Sequence, residues 1–321
     1  MPLYRTLLVV PLVLAICGLA LWGAPSPSLP TASPSPALAR LVSDGRAPAA
    51  ALLAETPGGT RFETTGPGIG RADRFRAGSI TKTFIATVVL QLAAERRLSL
   101  DDRAAAHTRL PQSVASHATL RHLLTHTSSP PRHFAYSNTN YVLLGDVIEH
   151  VTGNSYAAEA NRRIIRPLGL TGTSFPGSRT TLPSPHGTAY DSAGRDVTAL
   201  DPRIAGAAGE LISTLDDLNR FYAALLDGTL LPPAQLRDLL DTTATAGRYG
   251  MGLSPTELPC GVTVWGHNGR IPGSYVRTAA TRDGRQVLTF RTNTDTLTAT
   301  PTMPPLETTL LEAAFCPASR H

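Results

Sequence analysis

Lysine is nearly missing from this sequence. Lys and Arg together number 29 in 321 residues, and reading along the chain finds one lysine, Lys82. A coding preference for arginine accounts for the general pattern but not for the exception. A guanidinium keeps its proton at every physiological pH, whereas a desolvated amine can lose its proton and act as a base. Position 82 is therefore marked as one where arginine could not serve. Cysteine is scarce as well, at three residues, none with metal-ligand spacing. No segment recurs with a period of about twenty to fifty residues, which argues against a solenoid or propeller. The net charge of +5 comes from scattered arginines, with no basic run and no interleaved aromatics, so no nucleic-acid partner is expected.

What is present is an ordinary globular balance, 42% hydrophobic and 17% charged, in a chain long enough to bury a core without a metal or disulfide framework. Residues 1–24 read as a signal peptide or membrane anchor: Arg5 precedes an uncharged, mostly apolar run from Leu7 to Trp22, and Gly18-Leu19-Ala20 offers a cleavage site. Cys17 follows Ile16, a poor context for lipid attachment. Residues 25–37 are a Pro/Ser linker, and 38–321 the folded domain. The protein is expected to be secreted or extracytoplasmic, either free or tethered to the membrane. If Cys17 leaves with the signal, Cys260 and Cys316 are the remaining pair in an oxidising compartment and are predicted to be bonded.

Within the domain, the pattern predicts a short helix at Leu38–Asp44 and two strands, Ala47–Glu55 and Thr60–Thr65, around a Pro-Gly-Gly turn. A helix follows over Phe84–Arg96, apolar at Phe84, Val88 and Leu92. Helices are predicted at Tyr141–Val151, Tyr156–Ile165, from Thr214 or Asp216 to Leu226, at Leu236–Leu240 and at Leu306–Phe315. Strands are predicted at Val262–Trp265, Ser274–Ala280 and Gln286–Arg291. Strands at both ends with helices between them give an α/β (α+β) architecture. One antiparallel sheet, built from about 38–97 and 202–321, is flanked by helices and interrupted by a helical insert at about 98–201. The active site is expected in the cleft between the two parts.

Three short motifs carry candidate chemistry. In Ser79-Ile80-Thr81-Lys82, positions i and i+3 share a helix face, so hydroxyl and amine can touch at a helix start whose free N–H groups favour negative charge. A capping serine beside an exposed lysine fits the same letters. Tyr136-Ser137-Asn138 sits in a loop before a helix. A phenol there can relay a proton and a carboxamide can hold a substrate amide, or the segment can be a helix cap with a packed tyrosine. His267-Asn268-Gly269 follows an apolar strand. Alternation puts His267 and Gly269 on one face, where a glycine would let substrate lie along the strand edge and the N–H of Arg270 donate.

In that order, Ser-x-x-Lys, Tyr-x-Asn and His-x-Gly resemble the class C β-lactamase and D-alanyl-D-alanine carboxypeptidase family, with its esterase relatives. The stretches 75–84 (FRAGSITKTF), 120–128 (LRHLLTHTS), 136–145 (YSNTNYVLLG), 208–221 and 265–273 are each similar to family segments in sequence order. The resemblance implies the β-lactamase/transpeptidase fold, with Ser79 as acylated nucleophile and Lys82 and Tyr136 sharing its proton. It implies Asn138 holding the substrate amide or orienting Lys82, and the N–H groups of Ser79 and Arg270 as oxyanion hole. His267 and Gly269 would help recognise substrate, and no cofactor or metal is implied.

Two departures shape the expectation. The interval between Thr127 and Tyr136 is shorter than the family's, so the helical insert is reduced and the cleft more open. Asn268 replaces the usual Thr or Ser, a hydroxyl associated with binding a substrate carboxylate. The expected function is a D-alanyl-D-alanine carboxypeptidase-like peptidase working through an acyl-enzyme, as a monomer, on a small-molecule or peptide acyl donor such as a peptidoglycan stem peptide. An esterase, acyltransferase or peptide-processing enzyme is the second reading, and a degenerate cell-wall-peptide binding protein the third. A β-lactamase is disfavoured, since rapid deacylation needs a water that the reduced wall would hold poorly.

Overall fold

The computed structural model describes residues 35–108, 117–295 and 303–316, with backbone alone at 303–305. The expected signal or anchor, Cys17 and residues 25–34 of the linker lie outside the described residues. The strands are β1 (Ala50–Thr56), β2 (Gly59–Thr65), β3 (Phe75–Arg76), β4 (Ile212–Ser213), β5 (Ser254–Glu257), β6 (Thr263–Ile271), β7 (Ser274–Ala280) and β8 (Val287–Thr292). Six of them form one antiparallel sheet in the order β2-β1-β8-β7-β6-β5. Strands from the N- and C-terminal parts of the described residues pair within it, where Leu52 of β1 faces Phe290 of β8.

Both faces of this sheet are covered, which is why β1 reads as a nearly continuous apolar run. Ala50, Leu52 and Ala54 join Leu288, Phe290 and Tyr275 on one face, under α1 (Pro36–Ser43) and the C-terminal helix Met303–Phe315. Ala51 and Leu53 join the main core on the other face. At the centre of that core is α2 (Thr81–Ala94), in which every residue from Thr81 to Leu90 is buried. A helix buried on all sides has no polar stripe, so the spacing of Phe84, Val88 and Leu92 located it but understated its burial. It starts at Thr81, three residues earlier than expected, behind a tight 3-10 turn at Gly78–Ile80. Phe84 stacks on Phe221 of the helix Leu215–Leu226 with ring centres 3.8 Å apart. Thr214 caps that helix by accepting from the Asp217 N–H at 3.2 Å.

The insert is helical in its first half, with helices Leu120–Leu124, Asn138–Thr152 and Tyr156–Ala160. Residues 171–201 form turns and isolated bridges. Among the described residues no helix is long and apolar enough to cross a membrane. Cys260, after β5, and Cys316, after the C-terminal helix, are joined in a disulfide, as expected.

The largest departure from the sequence expectation is β6. Its apolar signal ends at Trp265, yet the strand runs on to Ile271 through His267, Asn268 and Gly269. Weak strand formers are held there by pairing, since Trp265 to Ile271 match Ala280 to Ser274 residue by residue across the Pro272-Gly273 turn. Gly273 has φ +76, the conformation that a turn with Pro followed by Gly requires.

β6 also touches the chain segment that carries Ser79. A Cβ added at Gly269 would lie 1.8 Å from the Ala77 carbonyl oxygen, and one at Gly78 would lie 2.7 Å from the Arg270 nitrogen. The space at Gly269 is therefore filled by the backbone of Ala77, and not by substrate as the sequence reading had it. Gly78 is also held at φ +53, where a side chain is strained.

Two outcomes are expected. Gly269→Ala must push β6 away from Ala77, so acylation of Ser79 should fall by more than tenfold and thermal stability should drop; unchanged values of both would refute the contact. Cys260 and Cys316 should resist alkylation until reductant is added, and replacing both with serine should destabilise the domain by about 2–4 kcal/mol in denaturant melts.

Candidate active site

The segment leading to Ser79 is fixed from two sides. β3 pairs with β4, and the Ala77 N–H donates to the Leu211 carbonyl at 2.7 Å. Thr81 Oγ1 donates to the Gly78 carbonyl at 2.6 Å and accepts from the Leu211 N–H at 3.1 Å, which locks the turn before α2. Ser79 emerges half-buried at that turn.

Lys82 is one turn further on and fully buried. Its Nζ lies 3.0 Å from Ser79 Oγ and donates to the Ala208 carbonyl at 2.6 Å. The Tyr136 and Tyr141 rings lie 5.0 and 5.7 Å from it. Burial among neutral groups penalises the ammonium and lowers the amine's pKa from 10.5 to about 7. With one hydrogen given to Ala208, the neutral amine can turn its lone pair to the Ser79 hydroxyl.

Tyr136 completes the group. The residue is 46% exposed, but its hydroxyl end is buried beside Ser79. Burial of that end raises its pKa to about 12, so at neutral pH it is a phenol able to pass on a proton and not a ready-made phenolate. The shortened loop before it still delivers it to Ser79, because His126 holds the loop. The His126 carbonyl accepts from the Ala135 N–H at 2.8 Å, and its Nδ1 accepts from the Ser137 N–H at 3.1 Å. Sequence reading quoted His126 within a longer stretch and gave it no role.

Asn138 begins the helix Asn138–Thr152 and is exposed. Among the described hydrogen bonds none joins it to Lys82, which is oriented instead by Ala208. Asn138 is thus free to face a ligand at the mouth of the site.

His267 lies on the face of β6 turned toward Ser79 and is 3% exposed. Its Nδ1 is 2.5 Å from the Asn268 carbonyl and must donate there, so Nε2 accepts from the Tyr249 hydroxyl at 2.9 Å. Burial, and then the charge of Lys82, lower its pKa to about 3, so it is neutral at physiological pH. The same two causes hold His126 at about 3. Tyr249 was missed entirely by sequence reading. The available signal was the pair of glycines that follows it, Gly250 and Gly252. A Cβ at Gly250 would lie 2.3 Å from the Leu239 carbonyl, and one at Gly252 would lie 2.7 Å from the Ala86 Cβ. Two glycines just after the tyrosine mark close packing, Gly250 against the helix Pro233–Leu240 and Gly252 against α2.

Alternation along β6 turns Asn268 and Arg270 to the opposite face. Asn268 lies near the Tyr275 hydroxyl there, which donates to Glu307, and the Arg270 side chain is 4.0 Å from Asp295. Asn268 is therefore not a substitute for the carboxylate-binding hydroxyl. The Arg270 backbone differs. The two-residue turn makes Ile271–Ser274 the closing pair, so Arg270–Tyr275 is a non-hydrogen-bonded pair and the Arg270 N–H points away from β7. Gly78 keeps that N–H next to the Ser79 turn. Among the described residues no three His, Cys, Asp or Glu side chains converge as a metal site would require.

The chain as a whole is similar to known proteins. The Beta-lactamase family profile matches residues 37–302. Penicillin-binding protein 4 of Amycolatopsis lactamdurans is 26% identical over 75% of this chain and 80% of its own. The solved structure of a D-stereospecific amidohydrolase from Streptomyces sp. superposes with TM-score 0.79 at 37% identity, covering 87% of this chain and 97% of that one. A D-amino acid amidase from Ochrobactrum anthropi SV3 gives 0.75 at 26% identity, over 86% and 98%. A sheet built from N- and C-terminal strands, a serine hydroxyl against a buried lysine, and these likenesses agree: the chain belongs to the Beta-lactamase family and has the fold of its serine hydrolases.

Proposed function

We propose that this protein is an exported amidohydrolase that cleaves amides of D-amino acids or of short D-configured peptides through an acyl-enzyme on Ser79. The single observation that carries this reading is His267. It stands on β6, facing Ser79, with both ring nitrogens occupied and its imidazole neutral, so that strand offers no charge to a free C-terminal carboxylate. An uncharged carboxamide needs none. The likeness to an amidohydrolase described as D-stereospecific supports the same substrate class. Export is supported by the N-terminal sequence pattern and by the Cys260–Cys316 disulfide.

In this mechanism the neutral Lys82 amine takes the Ser79 proton as Oγ attacks the amide carbonyl. The N–H groups of Ser79 and Arg270 receive the developing oxyanion. The Tyr136 phenol gives its proton to the departing amine and recovers one from the Lys82 ammonium, which returns the amine to its neutral form. Asn138 holds the substrate carbonyl or N–H from the cleft mouth. Water then attacks the ester, and the acid leaves with Ser79 restored.

A carboxypeptidase is the second reading, favoured by one residue. The guanidinium of Arg248 is exposed and stacks over Phe134 at 4.9 Å, in the aromatic group around His126 and Tyr136. A cation there can meet a C-terminal carboxylate at the rim.

Hydrolysis of D-phenylalanine amide against that of an N-acylated D-alanyl-D-alanine peptide separates the two. Preference for the amide, insensitive to Arg248→Ala, is expected; preference for the peptide, lost in Arg248→Ala, would make the enzyme a carboxypeptidase. Ser79→Ala should abolish covalent labelling by fluorophosphonate, as read by intact mass. Lys82→Arg keeps the charge but cannot accept a proton, so kcat/KM should fall about 10²–10⁴-fold; near-normal turnover would remove the base role. With Lys82 titrating at about 7, only its neutral form acts. kcat/KM should therefore rise about tenfold per pH unit below 7 and level off above it. A flat profile from pH 5 to 8 would contradict the assignment.

A further inference from the structure

Glu210 is a buried carboxyl group that the mechanism does not use. It is 3% exposed, and among the described residues no cation is paired with it. Its partner is the Tyr156 hydroxyl, which donates to Oε1 at 2.7 Å. Burial raises the pKa of both groups. A carboxylate kept in the interior on a neutral donor is unfavourable, and the chain around it shows what the arrangement holds.

Two residues before Glu210 is Ala208, whose carbonyl accepts from Lys82 Nζ at 2.6 Å. One residue after it is Leu211, which bonds the nucleophile turn through Ala77 and Thr81. The stretch Ala205-Gly206-Ala207-Ala208-Gly209 has no polar side chain with which to fix itself. It turns at Gly206–Ala208, with Gly206 at φ +46, and its two glycines leave the backbone free to move. The Ala208 N–H donates to the Ala205 carbonyl, and those of Gly209 and Glu210 to the Gly206 carbonyl, which closes the turn without aiming it. Aim comes from the helices of the insert. A Cβ at Gly145, on the helix Asn138–Thr152, would lie 2.7 Å from the Ala207 Cβ and 3.1 Å from Tyr156 Cδ1, so turn, helix and ring are in close contact. Tyr156 begins the helix Tyr156–Ala160, and its ring packs edge-on against Phe175 with centres 5.7 Å apart. Its hydroxyl is therefore a fixed point from which Glu210 can hold the turn.

We propose that Tyr156 and Glu210 are positioning residues for acylation: their hydrogen bond holds the turn against the insert and keeps the Ala208 carbonyl on Lys82 Nζ. The proposal rests on the reading of Lys82 as the base. With one hydrogen given to Ala208, the neutral amine presents its lone pair to Ser79; with the carbonyl withdrawn, the amine rotates and is no longer aimed. The carbonyl also favours the ammonium, the stronger donor, so withdrawing it disfavours the charged form further. Burial alone sets the Lys82 pKa, so Glu210 acts on it through geometry and not through charge.

The test is the pH dependence of kcat/KM between about pH 5 and 8, on the unaltered protein and on variants shown by thermal melts to be folded. Among the groups facing Lys82, His126 and His267 titrate at about 3 and Tyr136 at about 12, with Tyr141 also raised, so the limb near 7 belongs to the amine. Tyr156→Phe should lower kcat about tenfold with KM little changed, and move the limb down by about half a pH unit or more. A limb still at about 7, whatever the plateau, would mark a purely structural role and overturn the proposal, as would a limb moved upward by water reaching the amine. Glu210→Gln keeps an acceptor for Tyr156 and should leave rate and limb near those of the unaltered protein. Loss of the limb in that variant would assign it to the Glu210 carboxyl and refute the proposal. A flat profile in the unaltered protein would remove Lys82 as base, and the proposal with it. Should Tyr156→Phe not fold, because it strands the carboxylate, Tyr156→Phe/Glu210→Met removes bond and charge together and is read in the same way.

Discussion

Keeping an amine in the interior with no carboxylate beside it is unfavourable, and the architecture of this site follows from doing so. Moving the Lys82 pKa from 10.5 to about 7 corresponds to about 5 kcal/mol against the charged form. Because the folded pKa is the lower one, this cost bears fully on stability below pH 7 and fades as pH rises toward the unfolded value. The compensation is structural. α2 is buried along its first ten residues, so Lys82 is carried into the core by Thr81, Thr83, Phe84 and Ile85. The Ala208 carbonyl gives the amine one partner, and the surrounding rings exclude water without adding negative charge. A carboxylate at the same distance would restore the pKa and make the lysine a spectator.

The second requirement is that the oxyanion donors come from two elements held in contact, and bare backbone meets this. Gly78 and Gly269 remove the side chains that would separate β6 from the nucleophile turn. The pairing of β6 with β7 then fixes which N–H groups face the turn. Neither glycine touches substrate in this account. Each is required because two stretches of main chain approach more closely than a Cβ permits.

The fold was legible where hydrophobic period and turn chemistry agree: β1 with β2, the helices after Asn138 and Thr214, and the β7 and β8 strands. It was least legible where tertiary pairing overrides propensity. The continuation of β6 through His267-Asn268-Gly269 depends on β7, which lies later in the sequence, and β5 contains Pro255, admissible only because β5 is an edge strand. Of the candidate site, the serine, lysine and tyrosine were named because side-chain chemistry shows in residue type. Ala208 contributes only a carbonyl, which no residue type advertises. Tyr249 and His126 work through each other's neighbourhood, and only a distance can reveal that. Asn268 was compared with the family's hydroxyl by its place in the motif, although the alternation that puts His267 and Gly269 on one face turns it to the other.

Substrate choice in such a site is an electrostatic question. A buried, neutral imidazole at position 267 is maintained by two hydrogen bonds that specify its tautomer, Nδ1 to the Asn268 carbonyl and Nε2 from Tyr249. Protonating His267 would reverse the Tyr249 bond, since Nε2 would then donate and the hydroxyl would have to turn and accept. It would also put a second positive charge near Lys82, in surroundings where even one is disfavoured. The lysine that must become neutral to act and the histidine kept neutral beside it are therefore under the same constraint, burial. A site arranged this way favours an uncharged group at the strand and leaves any carboxylate to be met at the rim, where Arg248 is the cation within the aromatic group. On the proposed reading, substrate discrimination follows from the same desolvation that lowers the Lys82 pKa.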